Sequence, residues 1–255
     1  MEPTKEWFDL LDQKKDLLKA PIDLEKYFTD DKVDQYPLKQ ISMGEFTSLS
    51  GKLIACDPLG FILTDDDKPY YEVAPVGVFP TYASFITLEN PDNEAETVDL
   101  IASYKIAFSD ETPTEYREAL RGNEDLASLQ EDEYFGFNTD SGLATIFDQD
   151  AFPEITKLID RIENKGDDAN LYDDYFEPLF KENLKNHPNY QSEDGDWINW
   201  SVPESDAKFP IFQAGFGEGV YPVYYGYNEK NEIVALYIQF IDAEMEIDEE
   251  DDDFL

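Results

Sequence analysis

The chain has one cysteine, one histidine, few basic residues and no long apolar run, and each shortage excludes something. Cys56 alone can form no internal disulfide and cannot supply the thiolates of a structural zinc site. His187 lies in the polar stretch Asn186-His187-Pro188-Asn189, so neither a two-histidine metal centre nor a nucleophile activated by histidine is available. No stretch approaches the roughly 20 apolar residues that cross a bilayer. The N-terminus carries neither the basic nor the apolar region of a signal peptide, which places the chain in the cytoplasm with no membrane partner. Nineteen lysines and arginines stand against 59 aspartates and glutamates, a formal net charge of −40. Such a field repels nucleic-acid backbones and anionic lipid, so direct nucleic-acid binding is excluded.

What is present points to a folded protein. A chain of 255 residues is long enough to bury roughly 70–75 % of its unfolded surface. With 18 Phe, 16 Tyr and 3 Trp, much of that core consists of rings. The patterning predicts an α+β fold, mainly antiparallel sheets with two similar β-hairpins, flanked by several helices. Residues 1–45 read as an N-terminal helical segment, 46–242 as the main α+β domain and 243–255 as an acidic, disordered tail.

Trp7, Leu10, Leu11, Leu17 and Leu18 lie on one helical face over Glu6 to Lys19, and Ile22 to Phe28 reads as a short second helix. Short apolar runs then predict strands at Lys52–Cys56, Gly60–Thr64 and Tyr70–Ala74, with a polar turn at Asp65–Lys68. Two later stretches echo each other. Gly77-Val-Phe-Pro-Thr-Tyr82 with Ile101–Phe108, and Gly219-Val-Tyr-Pro-Val-Tyr224 with Ile233–Phe240, each read as a hairpin. Pro80 and Pro222 cannot donate to a ladder and are expected at a strand start, edge or bulge. Thr114–Leu129 reads as a helix, Tyr134–Phe137 and Leu143–Phe147 as a strand pair around a turn, and Phe152–Ile162 as the clearest helix. Pro178 is expected to start, kink or interrupt a further helix over Leu171–Leu184.

Four carboxylates stand at strand ends: Asp57, Asp140, Asp148 and Glu218. If they converge, they form an acid/base pair or an oxygen-ligand site for a hard cation. Otherwise Asp stands there because its side chain caps turns, the commoner reason for such placement. The sequence calls for no cofactor and assigns no metal ligand. Gly215-Phe-Gly-Glu-Gly219 lacks the Lys-Ser/Thr of a phosphate loop and precedes a strand. Trp197 and Trp200, with Glu218 and Tyr221, are the candidates for anchoring a partner, although packing of a loop onto the core is the commoner role for two close tryptophans.

From Gly51-Lys-Leu-Ile-Ala-Cys-Asp-Pro-Leu59 onward, the chain resembles the domain-of-unknown-function family 4241. Phe137-Asn-Thr-Asp-Ser-Gly142 with Ala144-Thr-Ile-Phe-Asp148, Gly215-Phe-Gly-Glu-Gly-Val-Tyr-Pro222 and Ile233–Phe240 carry the same resemblance. Glu218 stands where that family's pattern has Asp. The resemblance implies a shared α+β fold and no mechanism.

The charge and the missing catalytic templates together imply a non-enzymatic binding protein of immunity or inhibitor type, whose acidic face docks a basic protein such as a toxin. A carboxylate-based, metal-assisted hydrolase using the four strand-end carboxylates is the alternative, and mimicry of nucleic acid by acidic side chains is a third. Solubility alone is the plain explanation for the charge.

Overall fold

The computed structural model describes residues 3–60, 68–90, 93–164, 166 and 170–243. The predicted strand at Gly60–Thr64 beyond its first residue, the turn at Asp65–Asp67 and the acidic tail beyond Ala243 lie outside the described residues. The fold is α+β, and every strand pairing in it is antiparallel.

The strands run β1 Lys32–Val33, β2 Tyr36–Ser48, β3 Leu53–Cys56, β4 Gly77–Asn90, β5 Asn93–Ala107, β6 Glu115–Glu118 and β7 Phe137–Thr139. They continue with β8 Leu143–Asp148, β9 Trp197–Ser201, β10 Lys208–Gln213, β11 Gly219–Tyr221, β12 Val223–Tyr227 and β13 Ile233–Gln239. A seven-stranded sheet has the order β1-β2-β4-β5-β13-β12-β6, a four-stranded sheet the order β3-β8-β10-β9, and β11 with β7 forms a separate ribbon. Helix α1 is Lys5–Lys14, α2 Lys26–Thr29, α3 Phe152–Glu163 and α4 Glu177–Asn186.

The first predicted hairpin forms as β4–β5, while the second forms only from Val223 onward as β12–β13, because Gly219–Tyr221 pairs with β7 instead. The two hairpins lie side by side in one sheet, with Ser103–Ala107 of β5 paired to Gln239–Ala235 of β13. Each proline marks a break in pairing. Pro80 pairs with Glu45 of β2 next to the bulge at Ser42/Gly44, but the β4–β5 ladder starts only at Thr81. Pro222 falls where the chain leaves the β7–β11 ribbon for β12 of the large sheet.

Three local expectations are overturned. Thr114–Leu129 is no helix: Glu115–Glu118 pairs with β12, and the segment beyond it is a series of turns. Extending the sheet satisfies backbone groups on β12 that a helix would leave unpaired. Glu124 stabilises the turn just before it by accepting from the N–H groups of Arg121, Gly122 and Asn123. Tyr70–Ala74 runs along the edge of β3 without forming a ladder, donating from Tyr70 N to Leu53 O and from Ala74 N to Gly51 O. Tyr134–Phe137 and Leu143–Phe147 do not pair with each other, because β7 pairs with β11 while β8 lies between β3 and β10. Pro178 takes the second position of α4, directly after a π-helical turn at Tyr172–Phe176.

Rings join the two larger sheets: Tyr104 of β5 stacks on Phe212 of β10 at 4.7 Å, and Phe212 meets Phe240 edge-on. On β13, Leu236 and Ile238 enter this core, while Ala235 and Tyr237 face the other way and pack with Leu24, Tyr116 and Tyr224. The N-terminal segment therefore covers the outer face of the sheet, and β12 is buried at all five positions. Residues 1–45 are not a separate helical segment: β2 crosses residue 45 and pairs with β4 from Leu38 to Ser48, because a long strand completes the edge of the large sheet. Among the described residues no helix is long and apolar enough to cross a membrane.

Candidate functional site

Two of the four strand-end carboxylates, Asp57 and Asp148, are occupied by the chain itself. Asp57 follows β3, and its carboxylate accepts from Leu59 N at 2.8 Å, Asp140 N at 3.0 Å, Ser141 N at 2.7 Å and Ser141 Oγ at 2.7 Å. Asp148, only 1 % exposed, accepts from Ser50 N and Gly51 N at 2.8 Å each, from Ser50 Oγ at 2.6 Å and from Asp150 N at 3.0 Å. Gly51 has φ +79, and a Cβ there would lie 2.2 Å from Ala74 O, so this tight turn requires glycine. Leu53 pairs with Asp148, which puts Asp57 about 13 Å along the strand at ~3.3 Å per residue. Asp148 therefore stands apart, and Asp57, although it adjoins Asp140, is spent on the Asp140–Ser141 turn, so the four carboxylates do not converge on one site. Asp140 and Glu218, by contrast, stand together at the end of the β7–β11 ribbon, one residue beyond the Thr139–Gly219 pair, and both are exposed.

The proposed aromatic anchors are interior. Trp197 and Trp200 are each 3 % exposed. Trp200 donates from Nε1 to Tyr175 Oη and packs edge-on against Phe176 and Phe209, while Trp197 lies 5.3 Å from the His187 ring. Neither indole reaches a partner without opening the core. Their proximity has a local cause: three residues apart on β9 they point to opposite faces, and both faces are covered. Tyr221 is buried as well, and its hydroxyl donates to Gly217 O and Ala214 O, pinning the glycine-rich loop before β11. Burial pushes that hydroxyl up to about 12.

The feature that stands open lies on the same ribbon. An open cleft of about 500 Å³ is lined by Ser128, Leu129, Glu133, Tyr134, Phe135 and Val220. Leu129 and Phe135 belong to the apolar cluster built on α1, which Trp7, Leu120 and Leu126 complete. Thr4 caps α1 by accepting from Trp7 N, and Lys14 at its other end donates to Leu129 O at 2.8 Å. The floor is thus held by the N-terminal helix. Tyr134 and Val220 remain 47 % and 45 % exposed, and Tyr134 donates from its hydroxyl to Val220 O. The turn between floor and wall carries Glu131, Asp132 and Glu133, all exposed.

A buried carboxylate holds the wall. Glu118, 4 % exposed at the end of β6, accepts at Oε1 from Phe135 N at 2.7 Å and Gly136 N at 2.8 Å. Gly136 has φ +57 and lies against Tyr221 O, where a Cβ would approach to 2.6 Å. Burial pushes the Glu118 carboxyl up to about 7, with the Glu124 charge adding to the rise and the two N–H groups opposing it. A raised carboxyl binds its proton more tightly in the folded protein. Glu118 therefore favours folding at acidic pH, and that contribution is lost as pH rises from about 4.5 to about 7. We expect Glu118→Gln, which retains Oε1 as acceptor, to be about 2 kcal/mol more stable than the parent at pH 8 and equal to it at pH 4.5. Urea melts at both pH values decide it: equal midpoints at pH 8 would mean that Glu118 is not held buried in its ionised form.

Sequence reading missed Glu118, Tyr134 and Val220 as site residues. The signal for Glu118 was a charged residue at an inward position of a short alternating strand, concealed by reading that stretch as a helix. Among the described residues no group of three or more His, Cys, Asp or Glu side chains is disposed to hold a metal ion. A family model described as a protein of unknown function (DUF4241) matches residues 46–238. No curated protein and no solved structure matches the chain.

Proposed function

We propose that this chain, which belongs to the DUF4241 family of proteins of unknown function, is a non-enzymatic acidic binding protein of immunity or inhibitor type that occludes a basic protein such as a toxin in the cytoplasm. The observation that carries the reading is the net charge of −40. Asp57 and Asp148 serve backbone N–H groups, but they are a small part of 59 acidic side chains, and the remainder give a field that speeds and orients the approach of a cationic partner. Such a partner is recognised by ion pairs at the rim and by a few apolar anchors at the centre.

Affinity capture on the tagged protein from host lysate, eluted with a salt gradient, identifies the partner. The association kinetics of the purified pair are then followed by stopped-flow fluorescence between 50 mM and 500 mM salt. The expected result is one basic protein whose association rate falls at least tenfold across that range, since screening shortens the reach of surface charge. Capture of nothing at 50 mM, or of a partner whose association ignores salt, would sink the reading.

A further inference from the structure

We propose that the cleft between the 128–135 loop and β11 is the docking surface, and that its occupant is a basic protein segment presenting a short apolar centre of one or two side chains flanked by lysines or arginines. The inference rests on the binding reading above and assigns that activity to one place. Three observations from different parts of the chain meet there.

The first is exposed apolar surface with a supported floor. Tyr134 and Val220 are about half exposed while Leu129 beneath them is 3 % exposed, so the shallow, open cleft offers apolar surface on which a side chain can rest. Its volume of about 500 Å³ admits a large side chain, within the ~300–1,000 Å³ usual for binding clefts. A tyrosine on the rim supplies large contact area at low entropic cost.

The second is the placement of charge on both sides of that seat. Glu131, Asp132 and Glu133 border it on the loop side. On the ribbon, Val220 pairs with Asn138, Gly219 with Thr139, and the next position holds Glu218 and Asp140. Glu218 thus lies two residues from Val220, about 7 Å along the strand. An apolar centre with carboxylates at both ends complements an apolar residue between basic ones and repels acidic segments.

The third is rigidity. Glu118 holds the Phe135 and Gly136 amides, and Tyr221 pins the glycine-rich loop that precedes β11, so both sides of the cleft are set before a partner arrives. Pre-organisation lowers the entropic cost of binding. It also gives Asp140 and Glu218 a role: they act at the rim of a protein contact, without ligating a metal.

The test uses the full chain and two labelled hexapeptides, each with two lysines on either side of a central pair, Leu-Phe in one and Ser-Ser in the other. Binding is read by fluorescence anisotropy at 50 mM salt. The parent should bind the Leu-Phe peptide about tenfold more tightly than the Ser-Ser peptide. Tyr134→Ala with Val220→Asp should remove that preference. Reversing Glu131, Asp132 and Glu133 to lysine should weaken both peptides about tenfold or more, against a twofold loss when Glu182, Glu193 and Asp194, on and after α4, are reversed instead. All the substituted side chains are exposed, and near-ultraviolet circular dichroism checks that each variant is folded. Equal binding of the two peptides, or equal losses from the two charge reversals, would overturn the assignment. The partner captured from lysate separates the two claims. If it binds the Tyr134→Ala/Val220→Asp variant as tightly as the parent, the cleft is wrong and the binding reading stands; if the parent binds neither partner nor peptide, both fall.

Discussion

Replacing Asp148 with alanine is expected to lower the melting temperature by about 10 °C. The carboxylate is the acceptor for three backbone N–H groups and one hydroxyl in a place sealed from water. Leaving a buried donor unpaired costs about 1–3 kcal/mol each, and part of that is recovered where Ser50 reaches solvent. A net loss of about 4 kcal/mol translates to roughly 8–16 °C for a domain of this size. Asp148→Asn retains one oxygen acceptor but turns an amide N–H₂ toward the other donors, and it should fall about halfway. Thermal melts of the three proteins decide between a structural and a chemical Asp148. A shift under 2 °C for the alanine variant would return Asp148 to the list of candidate catalytic groups.

The second large effect concerns the N-terminal segment. Glu25 and Lys105 form an ion pair at 2.6 Å with side chains only 15 % and 13 % exposed, and the Tyr237 hydroxyl donates to the same carboxylate. The Lys105 ammonium also lies 5.5 Å from the Phe28 ring and 5.6 Å from the Tyr237 ring. Alongside, Tyr116 donates to Asp23 at 2.6 Å, so residues 23–28 are bound to the sheet by charged and hydroxyl groups that have left water. Lys105→Met leaves the Glu25 carboxylate without its counter-ion and should cost about 3 kcal/mol. Adding Glu25→Gln removes the stranded charge, and the double variant should regain about 2 kcal/mol of that loss. Limited proteolysis gives an independent readout, with cleavage within residues 18–30 accelerated in the single variant and restored toward the parental rate in the double one. Additive losses in the two single variants would show that the pair is not coupled.

How far the sequence reached can be judged residue by residue. The echo of Gly-Val-Phe-Pro at Gly77 and Gly-Val-Tyr-Pro at Gly219 led to both hairpins, because alternating apolar residues and a polar turn are local properties of the chain, although Gly219–Tyr221 itself pairs with the distant β7. Helix α3 was legible for the same reason, from Ile155, Leu158, Ile159 and Ile162 on one face behind a proline in its first turn. The stretch 114–129 was misread because Tyr116 and Leu120 fit a helical spacing as well as any tertiary cause, and the winning cause was the free edge of β12, more than 100 residues away. Strand pairing across such distances leaves no mark in local periodicity. The separation of Asp57 from Asp148 follows from the β3–β8 register alone.

The sequence by itself therefore determined the α+β class, the antiparallel hairpins, the overwhelming negative charge and the classes of chemistry that one histidine and one cysteine rule out, since each of these depends on composition or on neighbours within a few positions. The tertiary structure alone decided that Trp197 and Trp200 are core, that Asp57 and Asp148 serve as backbone acceptors, and that Tyr134, Val220, Asp140 and Glu218 gather at one ribbon. Burial and convergence are properties of which distant segments meet, and that is settled by closing the two sheets around their rings and by the need to pair each backbone group that closure removes from water.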